Sequence, residues 1–254
     1  MKKFLSLTLS VVMILGLVAF ATKQAPTSSA SAENLSAKLV MCTNAEFQPY
    51  EYKDGGEFMG IDVECAKLIG EKLGVEVEIL DIAFDSLIPT VMSGKADFGM
   101  AGMTVTEDRK QSVDFSNTYQ TAVQAVIVPA NSDIADIEGL TGKKIGVQLG
   151  TTGDIYCTDD FGDENISRYP KIVDGVQAMK SGMIDACVVD DQVAKAVVAQ
   201  DEVSFKILNT PYAEEEYAIA VKKGNLELLN KINAALDEMK NSGELAAIVS
   251  KYIN

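Results

Sequence analysis

From Lys38 onward the chain alternates between two hydrophobic periods, and this alternation restricts its fold more than any other feature. The runs "KLVMCT" and "VEVEILDI" read as strands. Between them "GIDVECAKLIGEKLG" places Ile61, Cys65, Leu68, Ile69 and Leu73 on one helical face that stops at Gly74. "FDSLIPTVMSG" is helical again and "ADFGMAGMTV" is strand-like. Neighbouring strands joined through helices run parallel, so this βαβαβ series predicts a parallel sheet flanked by helices. After a long bridge, "QTAVQAVIVP", the pattern restarts with "KKIGVQL" and "IDACVVD" as strands and "TTGDIYCTDDF" and "KIVDGVQAMKSG" as helices, which predicts a second α/β unit. A further strand, "EEYAIAVKKG", leads into a helix with Leu226, Leu229, Ile232, Leu236 and Met239 on one face, and "ELAAIVSKYI" reads as a last helix.

The two units echo one another. In "SGKADFGMAG" and "SGMIDACVVD" a Ser-Gly stop is followed by a strand ending at Gly102 and at Asp190. Both ends fall at the carboxyl edge of an expected parallel strand, where open α/β sheets bind ligands.

At 254 residues and 47% apolar content the chain is long enough for one large domain or two small ones with a packed core. Its formal charge of -15 argues against nucleic acid or an anionic membrane as partner and leaves small solutes. There is no histidine, which removes Ser-His-Asp and Cys-His nucleophilic sites, His-ligated zinc and imidazole proton shuttles. No cofactor or metal is implied. Cys42, Cys65, Cys157 and Cys187 are far apart with no Cys-x-x-Cys pair; they are expected as buried free thiols, with two disulfides of unassigned connectivity the alternative in an exported protein. The first segment has Lys2 and Lys3, an apolar run from Phe4 to Ala21 and then the small, polar "TKQAPTSSASAEN". This reads as a signal peptide over 1–21, cleaved after Ala21, and a flexible leader over 22–37, with an uncleaved membrane anchor the alternative for an apolar run of this length.

Four stretches carry candidate chemistry. "GMTVTEDRKQSVDFS" contains Arg109, one of only two arginines, with Gly102 and Thr104 at a strand end before it. Arginine's planar fork suits a carboxylate, whereas a surface pair with Glu107 or Asp108 is the plainer use. "QLGTTGD" is a glycine-threonine turn between strand and helix whose NH groups can take an anionic oxygen, or simply an ordinary turn. Asp190-Asp191 end an apolar strand. Asp191 fits as the N-cap of "QVAKAVVAQ", leaving Asp190 to face a cleft and receive an ammonium group. Phe47 and Phe84 each follow an expected strand, where a ring covers a ligand or packs in the core.

Together, "AEFQPYEYKDGGEFMGIDVECAKLIGEKLG", "FDSLIPTVMSGKADFGMAGMTVTEDRKQSVDFS", "GKKIGVQLGTTGD", "GMIDACVVDD" and "EEEYAIAVKKGN" resemble the polar amino-acid family of solute-binding proteins that serve ABC importers. That family includes glutamine-binding and lysine/arginine/ornithine/histidine-binding proteins. The resemblance implies a type II periplasmic-binding fold of two α/β lobes with parallel-core sheets, joined by two hinge strands. Lobe 1 would cover 38–119 and 218–254, lobe 2 would cover 124–212, and the hinge 120–123 and 213–217. It implies an exported monomer, not an enzyme, that closes on a free L-amino acid and delivers it to an ABC permease. On the same basis Arg109 clamps the ligand α-carboxylate with the NH groups of Thr104 and Thr152. Asp190, the Gly102 carbonyl and the Thr104 hydroxyl hold the α-ammonium, and Phe47 and Phe84 line the side-chain space.

Asn44 stands where relatives with cationic ligands carry an acid. With Gln148 it favours a polar or uncharged side chain, and Glu46 nearby restores a cationic option. Two alternatives sit on the same scaffold, a dehydratase-like enzyme using Glu46 or Asp190, and a sensor domain. Where lipoprotein relatives have a cysteine in the signal, this chain reads Leu17-Val18-Ala19-Phe20, so no lipid-bearing cysteine is present there.

Overall fold

The computed structural model describes residues 38–253, so the expected signal peptide and leader lie outside the described residues. The chain begins with β1 (Lys38–Thr43), a short meander β2 (Glu46–Phe47), β3 (Glu51–Asp54) and β4 (Glu57–Met59), then α1 (Ile61–Leu73) and β5 (Glu76–Asp81). It continues through α2 (Leu87–Ser93), β6 (Phe98–Gly99), α3 (Glu107–Ser112), β7 (Val113–Phe115) and β8 (Gln120–Pro129). Next come β9 (Ile145–Gln148), α4 (Thr152–Phe161), β10 (Ile166–Tyr169), α5 (Ile172–Lys180), β11 (Ala186–Asp190) and α6 (Asp191–Gln200). The last elements are β12 (Phe205–Ile207), β13 (Ala213–Tyr217), β14 (Ala220–Lys222), α7 (Leu226–Ser242) and α8 (Glu244–Tyr252).

These strands form two mixed sheets with parallel cores. The first has the order β5-β1-β6-β14-β7, with β1 parallel to β5 and β6, and β14 antiparallel to β6 and β7. In the second, β10-β9-β11 are parallel, while β8 is antiparallel to β11, β12 and β13. The backbone passes between the sheets through β8 and returns through β13. These two lie side by side from Gln120↔Tyr217 to Gln124↔Ala213.

Both sheets are buried on two faces, which explains their continuous apolar runs. Alternate residues of β8 point opposite ways: Ala125 and Ile127 pack with Ile172, Met179 and Val193, while Val126 and Val128 pack with Leu140, Val147 and Cys157. On the first sheet Leu39 and Met41 meet Ile61, Ile69, Ile232 and Leu236. Cys42 faces the other way, toward Leu87 and Val91. All four cysteines are buried free thiols, and burial pushes Cys42, Cys157 and Cys187 up to about 12, where they are inert neutral hydrophobes.

Four sequence expectations need correction. The strand expected over "ADFGMAGMTV" is only Phe98–Gly99, because Gly102 at φ 51 turns the chain and Thr104 makes a single bridge to Tyr217. "EEYAIAVKKG" is not one strand: β13 belongs to the second sheet and β14 to the first. Ser116 holds the changeover, its backbone NH donating to the Ile219 carbonyl and its hydroxyl accepting from the Ile219 NH. The antiparallel β2-β3-β4 sheet was not expected, its strands being too short for a clear period. The N-cap position of α6 is Asp190, with Asp191 the first helical residue, paired with Lys195 at 2.7 Å.

Candidate functional site

Residues that follow strand ends of both sheets line one cavity, with an empty volume of about 310 Å³ that includes open solvent at its mouth. From the first sheet and its meander come Asn44 after β1, Phe47 in β2, Glu51 in β3, Phe84 after β5, and Ala101, Gly102 and Thr104 after β6. The second sheet contributes Gln148 at the end of β9, Thr151 and Thr152 at the start of α4, and Asp190 at the end of β11. Arg109 reaches in from α3.

Arg109 is buried, at 8% exposure, and is not a surface ion pair. Thr106 caps α3 by accepting from the Arg109 NH at 3.2 Å, and Glu107 pairs instead with Lys110 at 2.8 Å. The guanidinium lies over the Phe84 ring, 5.3 Å from its centroid. Its Nη1 donates to the Thr104 carbonyl at 2.7 Å and its Nη2 to the Gly150 carbonyl at 3.0 Å, across the space between the sheets. The backbones approach closely here. Gly150 has φ 80, and a Cβ on it would stand 3.2 Å from Asp85 Cβ. Burial lowers the Arg109 pKa from its ordinary value, while Glu215, Tyr156 and Asp190 pull it back up. The fork has further donors, and Thr152, which lines the same cavity, is the first residue of α4, where a helix leaves NH groups without partners of its own.

Asp190 supplies the opposite charge. Its Oδ1 accepts from Gln124 Nε2 at 2.6 Å and its buried Oδ2 has no partner. Burial pushes its carboxyl well above the usual range, and the neighbouring Glu215 adds to that, against the Gln124 hydrogen bond. Glu215 accepts from Gln124 at 2.9 Å and from the Thr104 hydroxyl at 3.0 Å. Thr104 and Thr152 hydroxyls approach to 3.5 Å across the cavity. Gly102, at φ 51 with its NH on Asp62 Oδ2 at 2.8 Å, lies against the Phe47 ring, which a Cβ there would approach to 3.0 Å.

At the far end Gln148 Nε2 donates to Asn44 Oδ1 at 2.8 Å, an amide pair that joins the two sheets. Of the ten residues expected at the site, nine line this cavity. The exception is Glu46, whose carboxylate is paired with Lys171 beside a separate surface groove. A second acid, besides Asp190, does enter: Glu51, 1% exposed and with neither oxygen partnered. Sequence reasoning passed over Glu51 and Glu215. Glu51 sits between Tyr50 and Tyr52, and Glu215 is in phase with the buried Tyr217, so the two-residue strand period was a usable signal for the latter.

Two parallel-core α/β sheets joined by adjacent crossing strands, with a charged cavity between their carboxyl edges, define the two-lobed class of solute-binding proteins. A family model for bacterial extracellular solute-binding proteins, family 3, matches residues 39–254, and the chain belongs to that family. It is 36% identical over 257 residues to the arginine-binding extracellular protein ArtP of Bacillus subtilis (strain 168), covering 99% of this chain and 98% of that relative. Among solved structures, an ancestral arginine-binding protein bound to glutamine matches with TM-score 0.82 and 42% identity, over 86% of this chain and 99% of that one. An ancestral arginine-binding protein bound to arginine matches with TM-score 0.81 and 43% identity over the same shares. Among the described residues no helix is long and apolar enough to cross a membrane.

Proposed function

We propose that the chain is the extracytoplasmic receptor of an ABC importer, capturing a free L-amino acid and handing it to a permease. The observation that carries this is the pairing of Arg109 and Asp190, opposite charges from different sheets, buried in one cavity. They match the two poles of a zwitterion. Arg109 takes the α-carboxylate with the NH groups of Thr104 and Thr152, and Asp190 takes the α-ammonium with the Gly102 carbonyl and Thr104 hydroxyl. Phe47 and Phe84 cover the ligand side chain. The lobes are 38–119 with 218–254 and 124–212, and the chain bends at 120–123 and 213–217 to admit and release the ligand. Closure removes water and strengthens both charge pairs.

The side chain is cationic in this reading, with L-arginine the first candidate. When ionised, Glu51 and Asp190 outnumber Arg109 among the lining residues, so a ligand of net positive charge balances the cavity. The unpartnered Glu51 carboxylate is its receptor. The names of the relatives point the same way. The Asn44–Gln148 amide pair favours glutamine as the second ligand. Those relatives are named as binding proteins, and the role proposed here involves no catalysis. Isothermal titration of ligand-stripped protein with the twenty amino acids tests the proposal. Tight binding of arginine is expected, and no heat from any of the twenty would refute it.

A further inference from the structure

Behind the side-chain end of the cavity two carboxyl groups meet, and among the described residues no cation lies between them. Glu51 on β3 has both oxygens unpartnered. Asp62, in the first turn of α1, is fully buried; its Oδ2 accepts from the Gly102 NH and the Tyr119 hydroxyl, each at 2.8 Å, and its Oδ1 is unpartnered. The two side chains are within hydrogen-bonding reach of each other. Two carboxylates repel and neither can donate, so this contact becomes a bond only when one of them carries a proton.

Among the described residues no neighbouring cation relieves the pair. Asp190 at the end of β11 and Asp81 at the end of β5 add negative charge. Lys53, on the same strand as Glu51, is bound to Asp81 at 2.6 Å. Tyr50, Tyr119 and Cys65 face the pair as neutral groups, held so by burial. Arg109 on α3, the only cation among the described lining residues, has two of its donors on backbone carbonyls. Of the pair, only Glu51 lines the cavity.

We propose that the Glu51–Asp62 pair holds one shared proton in the ligand-free protein and releases it when a cationic side chain enters, so that capture of a cationic amino acid is linked to proton release. The inference rests on the amino-acid reading above. The O–H bond of the pair breaks, the proton passes to water or a buffer base, and the Glu51 carboxylate takes the incoming cation as its partner. One positive charge leaves as another arrives, so the buried charge does not change. An uncharged side chain leaves the proton in place.

Burial, then the Asp62 charge, pushes Glu51 well above the usual carboxylate range. Burial also pushes Asp62 up to about 6, against the hydrogen bonds from Gly102 and Tyr119. Above that value and below the titration of Glu51 the pair carries the proton. Affinity for a cationic ligand there gains about tenfold per pH unit, and it declines as pH falls. Any proton that Asp190 releases to water or buffer on meeting the α-ammonium is common to all amino acids and cancels in a comparison of ligands.

The test is titration calorimetry of the full chain with arginine and with citrulline, its uncharged isostere, in neutral buffers of different ionisation heat. Arginine is expected to release about one more proton than citrulline. Competition titrations should show the arginine-over-citrulline preference rising about tenfold per pH unit, and Glu51→Gln should flatten it. Equal proton counts with a flat preference would overturn the linkage and leave the amino-acid reading standing. No binding by either, nor by any other amino acid, sinks that reading and the linkage with it. The proton count on the unaltered protein decides even where Glu51→Gln fails to fold.

Discussion

Arg109→Lys separates the zwitterion reading from a purely structural role. The guanidinium makes two charge-assisted hydrogen bonds, to the carbonyls of Thr104 and Gly150, and a face contact with Phe84. A lysine retains one hydrogen bond. Losing the other, worth about 1.5–3 kcal/mol, and the ring contact, worth about 0.5–1 kcal/mol, lowers stability by about 2–4 kcal/mol. The bound state loses more, because the α-carboxylate keeps a point charge but no fork. Losing one charge-assisted hydrogen bond of the fork costs about 1.5–3 kcal/mol, which weakens Kd by about tenfold to about 150-fold. Calorimetric unfolding reads this directly. Ligand at about 100 times the wild-type Kd adds about 2.7 kcal/mol to the parent. In the variant, with Kd weakened by about tenfold or more, the same concentration adds less than about 1.5 kcal/mol. The loss must be the same for every ligand that binds, since the α-carboxylate is common to all. A variant that keeps the parental ligand shift would refute the carboxylate role, and a loss confined to arginine would move Arg109 to the side-chain end.

Three further outcomes are expected. Gly102→Ala forces a β-carbon at positive φ and to 3.0 Å from the Phe47 ring, so it should lower stability by about 1–3 kcal/mol in urea unfolding and weaken binding of all ligands. Glu46→Gln removes a partly exposed pair with Lys171 and should change stability by less than about 1 kcal/mol, leaving the arginine Kd within a few-fold of the parent by titration, whereas Glu51→Gln should weaken it strongly. Ligand-free protein should lose stability as pH rises from about 5 to about 8. Asp62 titrates at about 6 when folded against 3.8 ordinarily, so the folded form binds the proton more tightly. The contribution is full below about 4 and lost as pH passes 6, with Glu51 and Asp190 acting in the same direction. Urea midpoints across that range measure it, and a flat or rising profile would contradict it.

The helices and parallel strands were legible because their apolar residues repeat with a fixed period, as in α1 and β11. The change of sheet between Tyr217 and Ala220 was not, since a continuous apolar run carries no mark of which sheet each half will join. At the site, residues standing at strand ends were readable from topology, which is why Gly102, Gln148 and Asp190 were found. Glu51 was not, because its burial depends on the β2-β3-β4 meander folding over the cavity, and three strands of two to four residues leave no periodic trace. Glu46 was expected in its place on nearness in sequence, and Lys171 holds it elsewhere.

The place of β14 has a consequence for the order in which the molecule is built. It is the strand that joins β6 to β7, yet every strand of the second sheet, from Gln120 to Tyr217, precedes it in the chain. As the polypeptide emerges, the second sheet has all its strands in one continuous stretch and is free to assemble. The first sheet must wait, with the edges at Phe98–Gly99 and Val113–Phe115 unpaired, until Lys222 has been made. Pairings of such long sequence separation form late. A chain that stops before Ala220 therefore presents open strand edges of the kind that associate with other chains, and it should aggregate.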